Sequence, residues 1–282
     1  MKTIEELQSI ATQVRRDILR MTTAAQSGHP GGSLGTADWM TAMQFNIMNH
    51  DPEHFTMDGN GQDMLFVSQG HITPVIYSTM ARRGYFPIDE LNTFRKFGTR
   101  LQGHPSTAHG LPGIRMASGS LGQGLSVGIG AAIGKKMTGD SNLVYTLHGD
   151  GELQEGQIWE AAMFAGAKKI DNLIATIDYN NQQIDGTTQQ VMDLGDLKAK
   201  FLAFRWNVVI IKNGNDMQQV LDGMFLAKSL TGKGSPVAVV LTTEMGYGVD
   251  FMQGTNKYHG AVLSADDLPK ALAQLAETIG DF

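Results

Sequence analysis

Two polar residues could do chemistry together: Asp150, in Gly149-Asp150-Gly151, and Asn180, in Asp178-Tyr179-Asn180-Asn181. A carboxylate and an amide oxygen are hard ligands, and a backbone carbonyl in the Asn181-Gln182 turn adds a third. A small oxygen set with other positions left open suits Mg²⁺ that completes its shell with phosphate oxygens. The same residues also allow a plain structure, with Asp150 capping a helix and Asn180-Asn181 making a turn.

The elements that must position this pair can be read around it. Leu143 to Leu147 is an apolar run of the kind found in buried parallel strands, ending at His148. Gly149-Asp150-Gly151 then turns the chain, and Glu155 to Lys169 predicts a helix with Ile158, Ala161, Ala162, Ala165 and Ile170 near one face. Leu173 to Ile177 is a second strand. Strand, turn, helix and strand form a right-handed βαβ unit. It brings Asp150 and Asn180 to the carboxyl ends of neighbouring strands, where open α/β sheets bind ligands. The first N–H groups after Gly151 would face the same anion.

Further along, four histidines adjoin glycine: His29 in Ser-Gly-His-Pro-Gly, His71 after Gly70, His104 after Gly103, and His259 before Gly260. Neutral imidazole can donate or accept a proton near pH 7. Thr3 to Glu6 is a capping box for a first helix whose apolar positions run to Ala25. Met64 to Val67 is a strand that delivers His71. Phe97 to Ser120 has little periodicity, and a stretch of that length inside a compact chain is usually functional or disordered. Its glycines, prolines and histidines favour function. Gly124, Gly128 and Ala132 predict a nearly smooth helix face, a candidate for close pairing between two copies. Strands follow at Trp206 to Ile211 and Pro236 to Thr242. A helix is expected at Asp193 to Phe204 and another at Asp216 to Ser229. Ser264 to Asp267 caps a last helix with Leu268, Leu272, Leu275 and Ile279 on its apolar face. The chain predicts one α/β domain over 1–282: a mostly parallel central sheet with helices on both faces.

Composition narrows the partners. A net charge of −6, with no basic cluster, argues against nucleic acid or anionic membrane. The absence of cysteine excludes disulfides and thiolate metal sites and fits a cytoplasmic protein. No apolar run is long enough to span a membrane.

The ordered set of Ser-Gly-His-Pro-Gly, Gln-Gly-His, Gly-His-Pro, Ser-Leu-Gly-Gln-Gly, Gly-Asp-Gly, Asn-Asn and Tyr-His-Gly closely resembles the N-terminal, diphosphate-binding domain of transketolase, over nearly the whole chain. The resemblance implies thiamine diphosphate as cofactor, with Asp150, Asn180 and the carbonyl of Gln182 holding Mg²⁺ (or Ca²⁺). Gly149, Gly151 and His71 would meet the diphosphate; Gly119, Ser120, Leu121 and Ile184 would line the pocket, with Leu121 and Ile184 against the thiazolium. His29, His104 and His259 would bind sugar hydroxyls and move protons beside the cofactor, which His259 and His71 would touch. Glu155 would be an acid at the subunit interface. In that family a two-carbon ketol unit passes from a ketose to an aldose, with the cofactor as nucleophile.

Two departures qualify the match. Ser120 stands where full-length transketolases commonly have proline. The sequence also lacks the domain that supplies the activating glutamate and the sugar-phosphate-binding residues. The chain is therefore expected to be the N-terminal subunit of a split transketolase. It would pair with a separate C-terminal subunit, two copies of each, and act on sugar substrates. The rival expectations are a subunit of a deoxyxylulose-phosphate synthase or 2-oxoacid dehydrogenase, or a catalytically silent interaction subunit. His104 and His259 favour transketolase over the first two, and intact Asp150 and Asn180 argue against the last.

Overall fold

A computed structural model describes residues 1–282. The core is a five-stranded, wholly parallel sheet, ordered β1-β2-β3-β7-β6. Its strands are β1 (Met64–Val67), β2 (Val144–Gly149), β3 (Leu173–Tyr179), β6 (Asn207–Ile211) and β7 (Val237–Thr242). A two-stranded hairpin, β4 (Gln182–Gln183) with β5 (Gly186–Thr187), follows β3. Between and around them run α1 (Ile4–Ala25), α2 (Pro30–Gly35), α3 (Ala37–Ala42, extended by a π turn at Met43–Ile47), α4 (Thr73–Arg83), α5 (Gly124–Thr138), α6 (Gly156–Ala167), α7 (Thr188–Met192), α8 (Leu197–Ala203), α9 (Met217–Ser229) and α10 (Leu268–Leu272).

Why the strands are apolar at nearly every position follows from the two layers they separate. Alternate side chains point to opposite faces. Tyr145, Leu147, Ile174, Val239 and Leu241 join a core with α1, α3, α4 and α9, while Val144, Leu173, Ala175, Ile177 and Val240 join a second core with α5, α6 and α8. Both faces are covered, as a parallel sheet requires. The expected α/β architecture is the observed one. No helix is long and apolar enough to cross a membrane.

Thr3 and Glu6 do form the capping box of α1. Other expectations shift. Pro30 to Gly35, read as loop, winds into a short helix that starts with proline, whose missing N–H costs nothing in the first turn. The helix expected from Asp193 starts later, as α8 begins only after Asp196, whose side chain accepts from the Ala199 N–H. The last helix stops at Leu272, leaving Leu275 buried but Ile279 exposed.

The smooth face of α5 is a correction of greater consequence. Gly124 lies against Ser68, and a Cβ on Gly128 would come within 2.4 Å of Thr146 Cγ2. Ala132 is fully buried. The small residues let α5 sit close on its own sheet and are therefore closed to a second copy. The outward side carries Gly130 and Gly134, where a Cβ would meet open space.

Candidate functional site

The carboxyl ends of β1, β2, β3 and β7 meet at a cleft of about 330 Å³. Register explains the central pair: Gly149 is opposite Asp178, so the turn after β2 lies beside the end of β3. Asp150 is buried, with Oδ1 accepting from the Gly151 N–H at 2.7 Å and Oδ2 from the Asn181 N–H at 2.5 Å. Asn180 is oriented by its neighbours, its Nδ2 donating to Asp178 at 3.1 Å and its Oδ1 accepting from the Gln182 N–H at 2.9 Å. Asn181 takes a left-handed φ of 57°, which asparagine tolerates, and its Oδ1 accepts from Thr188 Oγ1. This turn feeds the β4–β5 hairpin and places Gln182 and Ile184 at the cleft.

Electrostatically the cleft calls for a cation. Burial, then the charge of Asp178, pushes Asp150 up to about 7, and burial pushes Asp178 up to about 6. No lysine or arginine lines the cleft. The donor set fits a divalent ion of the Mg²⁺ type: one carboxylate, one amide oxygen and a nearby carbonyl. No cluster of three or more His, Asp or Glu side chains could hold a metal alone. The remaining ligands would have to come from the bound anion.

Across the cleft, histidines gather from distant parts of the chain. Ring centroids of His29 and His71 are 5.1 Å apart, His71 and His259 5.2 Å, His29 and His259 5.9 Å, and His29 and His104 6.3 Å. Two close backbone approaches make this possible. A Cβ on Gly31 would stand 2.7 Å from the Tyr258 carbonyl, and one on Gly70 would stand 2.7 Å from the Ser118 carbonyl. Glycine thus lets the His29 segment meet the His259 segment, and the His71 turn meet the loop before α5. Burial, then the neighbouring His259, holds His29 down at about 4, and burial, then His259, holds His71 at about 3. Burial lowers His259, and partial desolvation, then the charge of Arg95, lowers His104. These rings are neutral near pH 7. His29 Nδ1 and His259 Nδ1 are buried without hydrogen-bond partners, as is Gln69 Nε2. Buried polar atoms are seldom left so, and here they border a cleft that a polar ligand would fill.

The sequence-derived set lines this cleft, with two exceptions: His29, His71, Gly119, Leu121, Gly149, Asp150, Gly151, Glu155, Asn180, Gln182, Ile184 and His259. His104 is solvent-exposed beside Gly119 at its edge. Ser120 is exposed and not part of the lining. Glu155 is the N-cap residue of α6, is exposed, and makes no side-chain capping bond. His148 is buried beneath the site, and His109 lies on the surface elsewhere. Sequence reasoning missed Gly32, Gln69, Glu152, Gln154, Asp178, Gln183 and Met245, which also line the cleft. Asp178 and Gln69 carried a usable signal, since each sits at a strand end beside a residue already singled out. The rest carried none.

Comparison with known proteins decides the family. The sequence profile described as transketolase, thiamine diphosphate binding domain, matches residues 7–278. The chain belongs to that family. Among relatives, a 6-deoxy-6-sulfo-D-fructose transketolase subunit of Clostridium sp. (strain MSTE9) is 39% identical over 270 residues, covering 96% of each chain. A subunit of the apulose-4-phosphate transketolase of Phocaeicola vulgatus is 35% identical, covering 98% of this chain and 96% of the relative. Among solved structures, the transketolase of Leishmania mexicana superposes with a TM-score of 0.88 at 29% identity, over 100% of this chain but 43% of that one. A Pichia stipitis transketolase in complex with sedoheptulose 7-phosphate gives 0.88 at 31% identity, over 97% of this chain and 41% of the other. The chain thus spans about two fifths of those transketolases, while it matches the named subunits nearly end to end. The fold and cofactor class expected from the sequence are those of the family, and the relatives named here are transketolases.

Proposed function

We propose that this chain is the cofactor-binding subunit of a two-subunit transketolase, completed by a separate C-terminal subunit in an assembly with two copies of each. The observation that carries the reading is the cleft itself: an Asp150-Asn180 pair facing a cluster of neutral histidines, within a chain that aligns almost end to end with relatives named as transketolase subunits. Asp150, the Asn180 amide oxygen and the Gln182 carbonyl hold Mg²⁺ (or Ca²⁺). Gly149, Gly151 and His71 receive the diphosphate, and Gly119, Ser120, Leu121 and Ile184 bound the rings. The bound thiamine diphosphate supplies the nucleophilic carbon and the electron sink for ketol transfer.

The chain's own residues then orient and handle protons. His29, His104 and His259 hold sugar hydroxyls. Being neutral, each can take a proton from a substrate hydroxyl without first losing one to solvent, and can return that proton afterwards. Glu155, exposed at the start of α6, is the acid that faces the neighbouring subunit. Exposed Val127 and Met137 on α5, with Met163 and Phe164 on α6, support a surface that another subunit covers. The donor is a phosphorylated, branched or sulfonated ketose and the acceptor an aldose. A cytoplasmic location belongs to the same reading, and a chain without cysteine fits it.

The test is reconstitution. The purified chain, given thiamine diphosphate, Mg²⁺ and a ketose such as xylulose 5-phosphate or a sulfonated or branched relative, is expected to show no ketol transfer. Adding the C-terminal subunit restores it. Sustained turnover by this chain alone, with contaminating full-length enzyme excluded, overturns the split-enzyme reading.

A further inference from the structure

In the wall of the cleft lies a buried carboxylate for which the reading above has no use. Glu152 is 2% exposed and sits in the short turn after Asp150. Its Oε1 accepts from the Ser68 hydroxyl, from the Gly122 N–H at 2.8 Å and lies 3.4 Å from His148 Nδ1. Its Oε2 accepts from the Gly149 N–H at 3.1 Å. Ser68 in turn accepts from the Gly124 N–H at 3.0 Å, the first residue of α5. His148 is fixed from its other side by Thr146 Oγ1 at 2.8 Å. A single side chain therefore gathers donors from the end of β1, the loop before α5 and the end of β2.

Those three segments carry His71, Gly119 with Leu121, and Asp150 with Gly151 respectively. Only an acceptor on both oxygens can satisfy all of these donors. An amide would turn its NH₂ toward at least one N–H and leave a buried donor unpaired. We propose that Glu152 is a positioning residue that fixes the spacing of these three cofactor-bearing segments and so sets cofactor affinity. Both of its oxygens are taken by protein donors, so it acts through the segments that it holds. The inference rests on the thiamine-diphosphate reading of the cleft.

The test uses the enzyme reconstituted with its C-terminal subunit, with Mg²⁺ at a saturating level. In Glu152→Gln the Kd and KM for thiamine diphosphate rise about tenfold, the scale set by one unpaired buried donor. The kcat at saturating cofactor stays within about twofold, and the KM for the sugars does not move. Ser68→Ala, which removes one donor to the carboxylate and leaves the Gly124 N–H unpaired, also raises the Kd. The double variant loses less than the sum of the two single losses, because both act through one network. An unchanged Kd in Glu152→Gln, or a loss confined to kcat, overturns the proposal. A residue that only stabilised the fold would lower the melting temperature of the cofactor-free chain while leaving the Kd of the folded fraction intact, and that result overturns it as well. Should Glu152→Gln not fold, Ser68→Ala decides: an unchanged Kd there overturns the proposal. Failure of the wild-type complex to bind thiamine diphosphate would instead remove the functional reading on which it stands.

Discussion

At the scale of single residues, the proposed function divides the work between hard ligands that bind and neutral histidines that handle protons, and that division can be tested. Asp150 is the one carboxylate of the proposed cation set, and its removal leaves a diphosphate facing Asp178 with no basic side chain in the cleft lining. Asp150→Ala should cost about a hundredfold or more in Mg²⁺-dependent affinity for thiamine diphosphate, the scale of stripping one member from a buried charge pair. Calorimetry with unchanged affinity would remove the metal assignment. His104→Ala and His259→Ala should instead lower kcat tenfold or more, within the range of general acid–base catalysis, and change cofactor affinity little. The sign of the pH dependence follows from burial. Because His29 and His71 are held down at about 4 and about 3, they stay neutral as pH falls from 8 to 5. Their imidazole resonances should therefore not titrate in that interval, and a midpoint near 6.5 for either would contradict the burial seen here. These residues were legible because their types advertise chemistry and glycines flank them. Gln183 and Met245 were not, since neutral side chains at a site look like neutral side chains anywhere.

At the scale of elements, period and punctuation revealed the βαβ unit around Asp150, and the parallel register then dictated that Gly149 meet Asp178. What the sequence could not supply was direction. A helix with glycines on one stripe allows close packing against something, and only the fold shows that the partner of α5 is its own sheet. Gly128→Ala puts a Cβ within 2.4 Å of Thr146 Cγ2, so the core must shift. Overpacking of that kind costs about 1–3 kcal/mol. Gly130→Ala meets open space and removes a helical glycine, gaining about 0.4–1 kcal/mol. Chemical denaturation of the two variants separates the faces. Equal effects, or a destabilised Gly130→Ala, would mean that α5 is turned the other way. The misjudged helices have a local cause: Asp196 caps α8 internally, and the apolar spacing of Leu268 to Ile279 continues past the point where the helix ends.

At the scale of the whole molecule, the two ends of the chain are tied to one another, which no local pattern announces. Asp281 accepts from Arg16 at 2.7 and 2.8 Å and from Gln13 Nε2 at 2.7 Å, and Arg82, paired with buried Asp17, donates to the Gly280 carbonyl at 3.0 Å. The tail thus closes over α1, the helix that anchors the larger core. The hydrogen bonds from Arg16 hold Asp281 down at about 2, below the usual carboxylate range. A depressed folded-state pKa means that the ionised form is favoured by folding. Its contribution is complete above about pH 4, where the unfolded chain is ionised too, and it is lost as pH falls toward about 2. Asp281→Asn should accordingly lower the melting temperature by roughly 2–4 °C at pH 7. The gap between variant and wild type should shrink below about pH 4, because the unfolded wild-type chain then binds a proton at Asp281 that the folded chain, held at about 2, does not. Melting curves at pH 7, 5 and 3 test this. A gap that is the same at pH 3 as at pH 7 would show that the tail is held by packing and by Gln13, and that the charge on Asp281 adds nothing to the closure.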